Sequence, residues 1–273
     1  MSIINLIKKL LRITIKRPYR KFTILLSNMW NKLGDKRKCY ICHKSFRSFT
    51  KIGEGSKGRS AYLKELHIVG SDIDNYGCIY CNSTDRERHL LMFFDKLSLW
   101  DNFKDKKILH FAPEKPLVQR IEKLLPSEYI KCDLFPRENW RKIDITKIEF
   151  KDNYFDILIC NHVIEHVTDY AAALKEISRV IKRNGIAILQ TPYSELLNNH
   201  FEDCNIKTDD LRLIFYGQED HVRIVSKRQF FDDLTQYFTL NIVKNQDLFS
   251  VDECYKYGVN IEEDLVLVIN NKK

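Results

Sequence analysis

Two tight cysteine pairs, Cys39-Tyr-Ile-Cys42 and Cys78-Ile-Tyr-Cys81, hold the clearest chemistry in this sequence. A Cys-x-x-Cys turn brings two thiolates to one ion, and two such turns complete a tetrahedral four-sulfur zinc site. Such a site is closed, so its role is structural. The 35 residues between the pairs exceed the usual ribbon loop, but added loop length costs little on closure. His43 directly follows the first pair and is an alternative ligand; redox-active or simply buried pairs are the competing reading. Cys132, Cys160, Cys204 and Cys254 lack ligand spacing and read as core or incidental residues.

A second constellation is built on carboxylates at strand ends. Ile108-Leu-His110-Phe-Ala112-Pro-Glu114 lies where an apolar run feeds a helix, and Asp133 closes the next apolar run, 23 residues after His110. An acid there is placed to accept hydrogen bonds from both ribose hydroxyls of a nucleoside cofactor. Asp144, beside Ile145, ends a third short run and could accept from an adenine amine. A fourth run ends at Asn161-His162. The following His162-Val-Ile-Glu165-His166 also fits the inverted zincin spacing, which needs both histidines on one long helix. An apolar strand ending at Cys160 and a helix cap at Thr168-Asp169 argue against that helix. His221 and Arg223 close a long connection; His221 is a candidate general base for a hydroxyl acceptor, or a plain loop histidine. Tyr193 is a comparable candidate for shaping an acceptor pocket.

The elements that must position these residues alternate in type. Strands are predicted at Ile108–Phe111, Tyr129–Leu134, Arg141–Ile145, Phe155–Cys160 and Gly185–Thr191. Helices are predicted at Pro116–Leu125, Asp169–Lys182 and Lys227–Phe238, with one more over 84–98 leading into them. In the second helix Ala172, Leu174, Ile177, Val180 and Ile181 form the apolar stripe, and Asn184-Gly185 reads as its stop. Such alternation implies a mostly parallel sheet covered on both faces. Two final strand-like runs, 238–244 and 265–270, suggest an edge hairpin and one antiparallel strand. The connections 192–226 and 245–263 show no clear structure.

Residues 107–191 resemble class I S-adenosylmethionine-dependent methyltransferases, in the broad group that methylates ubiquinone and sterols. The carrying stretches are Lys151-Asp-Asn-Tyr-Phe-Asp-Ile-Leu-Ile-Cys-Asn-His-Val-Ile-Glu-His-Val167 and Ala173-Leu-Lys-Glu-Ile-Ser-Arg-Val-Ile-Lys-Arg-Asn-Gly185. With the cysteine pairs and the Gly217–Arg223 tail, the chain looks like a subgroup bearing an N-terminal zinc ribbon. The resemblance implies an α/β, Rossmann-like, doubly wound fold with a seven-stranded, mostly parallel sheet. It implies an N-terminal arm (1–36), a ribbon module (37–84) and a catalytic domain (85–273) with a lid over 192–226. It further implies S-adenosylmethionine as cofactor, held by His110, Ala112, Glu114, Asp133, Asp144, Ile145, Asn161 and His162, with His162 and His221 at the reacting end and structural zinc on the four cysteines. The sequence departs from the family in its first motif. Ala112, Glu114 and Pro116 stand where glycines let the backbone approach the cofactor, so that approach is expected to differ, with Glu114 offered to the cofactor's ammonium.

Charge separates the two halves of the problem. Of 45 Lys and Arg, sixteen lie in residues 1–60 beside only two acids, Asp35 and Glu54. That segment therefore carries +14 and the remainder −6. A uniformly basic nucleic-acid-binding domain is excluded. No window of 18 apolar residues exists, and no signal peptide is evident, so a cytoplasmic enzyme is expected. Residues 3–16 read as a basic amphipathic helix ended near Pro18. It either lies on an anionic membrane surface through residues 1–21 or packs on the body. The first alternative favours a surface-glycan or lipid-linked sugar acceptor at the inner membrane face. The rivals are an RNA methyltransferase gripping phosphates and a non-enzymatic scaffold.

Overall fold

The computed structural model describes residues 30–137 and 139–271. The amphipathic segment 3–16 and the membrane contact expected of residues 1–21 lie outside the described residues.

The cysteine module comes first. A small hairpin pairs β1 (Arg37–Lys38) with β2 (Ser45–Phe46). Cys39, Phe46, Phe49 and Cys78 pack into a core of their own. A short helix α1 (Ala61–Glu65), capped by Ser60, leads to β3 (Ile68–Val69). Helix α2 (Asp85–Lys96) then starts at a capping box formed by Thr84 and Glu87 and carries an unbroken buried stretch, Arg88 to Phe94.

The body is a seven-stranded sheet. In chain order its parts are β4 (Lys107–Phe111), α3 (Lys115–Ile121), β5 (Glu128–Asp133), β6 (Arg141–Lys142), β7 (Phe155–Asn161), α4 (Tyr170–Val180) and β8 (Ile181–Gln190). After β8 come β9 (Tyr193–Ser194), α5 (Asp209–Tyr216), β10 (Val225–Ser226), α6 (Lys227–Thr235) and β11 (Thr239–Val243). The chain closes with α7 (Asn245–Leu248), α8 (Val251–Tyr257) and β12 (Leu265–Ile269). The sheet order is β11-β12-β8-β7-β4-β5-β6. The strands β8, β7, β4, β5 and β6 are parallel, while β12 runs antiparallel to both its neighbours. The expected terminal hairpin is present, and its antiparallel strand lies one place in from the edge.

Strand alternation sorts the core into two layers. Leu109, Phe111, Leu158, Cys160, Ala187, Leu189, Val266 and Val268 face α4 and α6. Ile108, Ile157, Ile159, Ile188 and Leu265 face α2, α3 and α8. Both faces are therefore covered, which is the Rossmann-like, doubly wound arrangement expected.

Two expectations are corrected. Asn184-Gly185 does not stop a helix: α4 ends at Val180 and the chain turns directly into β8, with 182–185 forming the irregular start of that strand. Gly185 is needed there because a Cβ would lie 2.9 Å from the carbonyl oxygens of Asp156 and Lys182. The connections 192–226 and 245–263 are also not bare loops. Thr208 caps α5, which ends at left-handed Gly217, and a second capping box, Ser250 with Glu253, starts α8. These helices are too short to show a clear period in sequence.

Candidate active site

The carboxyl ends of β5, β4 and β7 lie side by side and bring the strand-end residues together. Ala112, just past β4, has φ +44° and donates its N–H to the Cys132 carbonyl. It thus holds the left-handed conformation a glycine usually supplies, so the missing glycine has not changed the local backbone there. Pro116 enters the first turn of α3, where its lost N–H costs nothing. Glu114 is the N-cap of that helix, its carbonyl accepting from the Val118 N–H, but its side chain makes no cap hydrogen bond. Its side chain bridges strands instead: one oxygen lies 2.8 Å from His110 Nε2, and the other accepts from Asn161 Nδ2 at 3.0 Å. Burial would raise the Glu114 pKa, but the His110 and Asn161 contacts outweigh it and hold it below the ordinary value. His110 is fully buried, and its Nδ1 contacts the Tyr129 hydroxyl at 2.8 Å. Both of its ring nitrogens are thus engaged by protein groups. Asn161 is buried with its Oδ1 unpartnered.

Asp133 sits half-buried at the end of β5. Its Oδ1 accepts from the Phe135 N–H at 2.9 Å, with exposed Leu134 and Phe135 beside it. Asp144 is exposed, and one of its oxygens accepts from both the N–H and the hydroxyl of Thr146, while Ile145 is buried.

His162 follows β7 in a left-handed conformation at φ +53°. Its Nδ1 lies 3.5 Å from Glu165 Oε1 and its Nε2 lies 3.9 Å from Glu263 Oε1. The segment after it is a single 3-10 turn, Ile164–His166, so the long helix of the zincin reading is absent. His221 is brought to this turn by the β8–α6 connection. Val222 donates its N–H to the Glu165 carbonyl. Buried Arg223 bonds the carbonyls of Ile164, Val167 and Thr168, and pairs with Glu202 at 2.8 Å. Burial pushes the His221 imidazole down to about 4. It is thus neutral at pH 7 and a weak base, which speaks against the general-base role expected of it. Burial alone would raise Glu165, but His162, His166 and His221 around it hold it at about 2.

Several residues of this region were not singled out in the sequence. Arg86 and His89 of α2 and Glu263 before β12 close a narrow cleft over Glu114, Asn161, His162 and Gln190. His89 contacts Glu263 at 3.2 Å and Asn245 at 2.7 Å. The charged start of α2 was the available signal, since charges on an otherwise buried helix need partners. Arg86 also borders a larger cavity of about 770 Å³ between the cysteine module and the 192–226 segment. Arg59, Tyr76, Tyr216, Glu219, His221 and Arg223 are among its walls. Tyr193 is buried in β9 against Phe231 and is not among them.

In the cysteine module, Cys39 and Cys81 sulfurs lie 3.7 Å apart, and those of Cys42 and Cys78 lie 3.8 Å apart. All four fall within 4.8 Å of one another. A tetrahedron with a metal–sulfur bond of about 2.3 Å has edges of about 3.8 Å. The two turns are built alike. His43 and Asn82 are left-handed and donate N–H to Cys39 and Cys78 carbonyls. His43 is spent on that turn, exposed, and outside the sulfur cluster. Arg88 ties the module to the body from beneath: its guanidinium bonds the carbonyls of Asn75, Tyr76, Ser83, Tyr257 and Gly258 and lies over the Phe49 ring.

Residues 106–189, which hold β4 to β8, match the model of the methyltransferase domain family. Over 213 residues the chain is 26% identical to an uncharacterized protein of Methanocaldococcus jannaschii, covering 74% of this chain and 89% of that one. Among solved structures it is similar to 1,6-didemethyltoxoflavin-N1-methyltransferase of Burkholderia thailandensis (9% identity, 66% of this chain, 78% of that chain, TM-score 0.46). It is similar also to the N-methyltransferase NodS of Bradyrhizobium japonicum (16% identity, 68% and 87%, TM-score 0.41). Both of those structures contain S-adenosylhomocysteine. The matched stretch includes the strand-end residues from His110 to Asn161, while the cysteine module and the 192–226 segment flank it.

Proposed function

We propose that this protein is an enzyme that transfers a methyl group from S-adenosylmethionine to a small hydroxylic acceptor of the surface-glycan or lipid-linked sugar class. The observation that carries the reading is the match of residues 106–189 to the methyltransferase domain family; the Glu114–Asn161 hydrogen bond at two of the strand ends and Asp133 at the end of β5 support it. The residues fit the cofactor. Asn161 has a buried, unpartnered oxygen, and the Glu114 carboxylate lies beside it, which suits an ammonium group. Asp133 keeps one carboxylate oxygen for the ribose, with Leu134 and Phe135 as apolar surface nearby, and the Asp144–Ile145 turn takes the adenine end. When bound, the cofactor supplies an electrophilic methyl on a sulfonium. The chain's own residues orient it and exclude water, and the gain comes from holding donor and acceptor in line.

The cavity of about 770 Å³ supports a small acceptor, since it lies in the range of small-molecule sites. Its arginines and tyrosines suit a polar, hydroxyl-bearing ligand. Zinc on Cys39, Cys42, Cys78 and Cys81 fixes the module that forms one wall. The basic segment ahead of it serves to dock the enzyme on an anionic membrane. Incubation with methyl-labelled S-adenosylmethionine and fractionated cell extract tests the acceptor. Label is expected in the glycan or glycolipid fraction; label confined to RNA overturns the acceptor class.

A further inference from the structure

The zincin spacing pointed to His162 and His166 as a pair. The structure pairs His166 with a residue 55 positions away instead. Glu165, His166 and His221 each offer one ligand atom, and the three atoms lie within 4.8 Å of one another. No hydrogen bond joins any two of the three. His221 Nε2 is buried and unpartnered in a residue that is 5% exposed; Glu165 Oε1, in a residue that is 1% exposed, accepts no hydrogen bond and has His162 Nδ1 3.5 Å away. The His166 and His221 rings meet edge to face at 4.7 Å, and burying the His221 nitrogen without a polar partner is costly unless something binds there.

The surroundings are arranged as the outer shell of a metal site. His221 Nδ1 lies 3.2 Å from the Tyr216 carbonyl, and His166 Nδ1 lies 3.2 Å from the Asp220 carbonyl. Each ring therefore donates from Nδ1, which leaves the Nε2 lone pair free; metal-bound histidines are oriented in this way. Thr191 donates its hydroxyl to the other Glu165 oxygen at 3.0 Å, fixing the carboxylate plane. Arg223 and the Val222 N–H hold the two segments in register.

We infer that Glu165, His166 and His221 bind a divalent transition-metal ion such as Zn²⁺, at a site separate from the four cysteines. Two imidazoles and one carboxylate are a common donor set for such ions, and three protein ligands leave coordination positions open. Asp220, His221 and Arg223 line the cavity of about 770 Å³, so one of the three ligands borders the space where an acceptor would lie. The ion would hold an oxygen of the cavity's ligand; this last step rests on the methyl-transfer reading, while the metal site itself does not.

The test is a metal count on the full chain. Wild type, His166→Ala and Glu165→Gln are dialysed against excess Zn²⁺, desalted and analysed by mass spectrometry for zinc per chain. His166 is partly exposed and Glu165→Gln conserves volume, so both variants are expected to keep the wild-type circular dichroism and melting temperature. Each is expected to hold one zinc ion fewer than wild type. Equal zinc in all three overturns the site. Titration of the same samples with S-adenosylhomocysteine separates the two claims. Cofactor affinity retained in His166→Ala, with the ion lost, supports a separate metal site. Failure of wild type to bind S-adenosylhomocysteine sinks the methyl-transfer reading and leaves the metal count to stand or fall alone.

Discussion

Asn161 donates a hydrogen bond to Glu114 at 3.0 Å and so joins the end of β7 to the turn after β4. The same carboxylate lies 2.8 Å from His110 in β4. Glu114→Ala would leave both partners buried without an acceptor. A loss of about 1–3 kcal/mol of stability is expected, the desolvation cost of such groups. Denaturant unfolding checks the first effect. Calorimetry with S-adenosylhomocysteine checks the second, at least a tenfold weaker affinity.

Arg88 is a buried cation with five carbonyl partners and no carboxylate among them. Arg88→Met keeps the stem but strips the donors from the seam between the cysteine module and the body. The expected loss is about 3–5 kcal/mol, as for breaking a buried charged network. A melting temperature within error of wild type would contradict the role assigned to it.

Two sulfur pairs of the cysteine cluster, at 3.7 and 3.8 Å, match a tetrahedral edge, and all four sulfurs lie within 4.8 Å of one another. Cobalt-substituted protein is therefore expected to show thiolate-to-metal charge-transfer absorption, and Cys81→Ser to show it weakened. Cys81 is exposed, so this variant tests ligation with little damage to packing. Absence of the band in wild type would count against a four-thiolate site.

Asp85, in the first turn of α2, is buried and pushed up to about 7, first by desolvation and then by Glu263. Its folded pKa exceeds its unfolded value of about 3.9, so the folded state binds the proton more tightly. The protonated form favours folding, and this contribution falls away as pH rises from about 4 to about 7. Asp85→Asn removes the titration while keeping an acceptor for the Asp72 N–H. The variant is expected to melt higher than wild type at pH 8, and the advantage should vanish near pH 4. Parallel melting curves across that range would refute the assignment.

Much of the sheet was legible because β4, β7 and β8 are buried on both faces and read as apolar runs. The cysteine cluster was legible because its ligands come in local pairs. What was not legible depends on long-range packing. Helix α4 and β8 abut without a loop, so the Asn184-Gly185 signal was assigned to the wrong element. Glu263 and His89 meet across 174 positions, and no local pattern announces such a pair. His221 was singled out as a base, but its burial and the neighbouring Glu165 are tertiary facts, and they change its chemistry. Ala112 shows the reverse case: the residue departs from the expected glycine, yet the backbone keeps the conformation.

The ends of β4, β5 and β7 are proposed to form a site for S-adenosylmethionine. Calorimetric titration with S-adenosylhomocysteine, run on wild type and on Asp133→Ala, tests it most directly. Saturable one-to-one binding by wild type, weakened at least tenfold in Asp133→Ala, is the predicted result. No binding by folded wild-type protein, or an affinity unchanged by the substitution, would contradict the account.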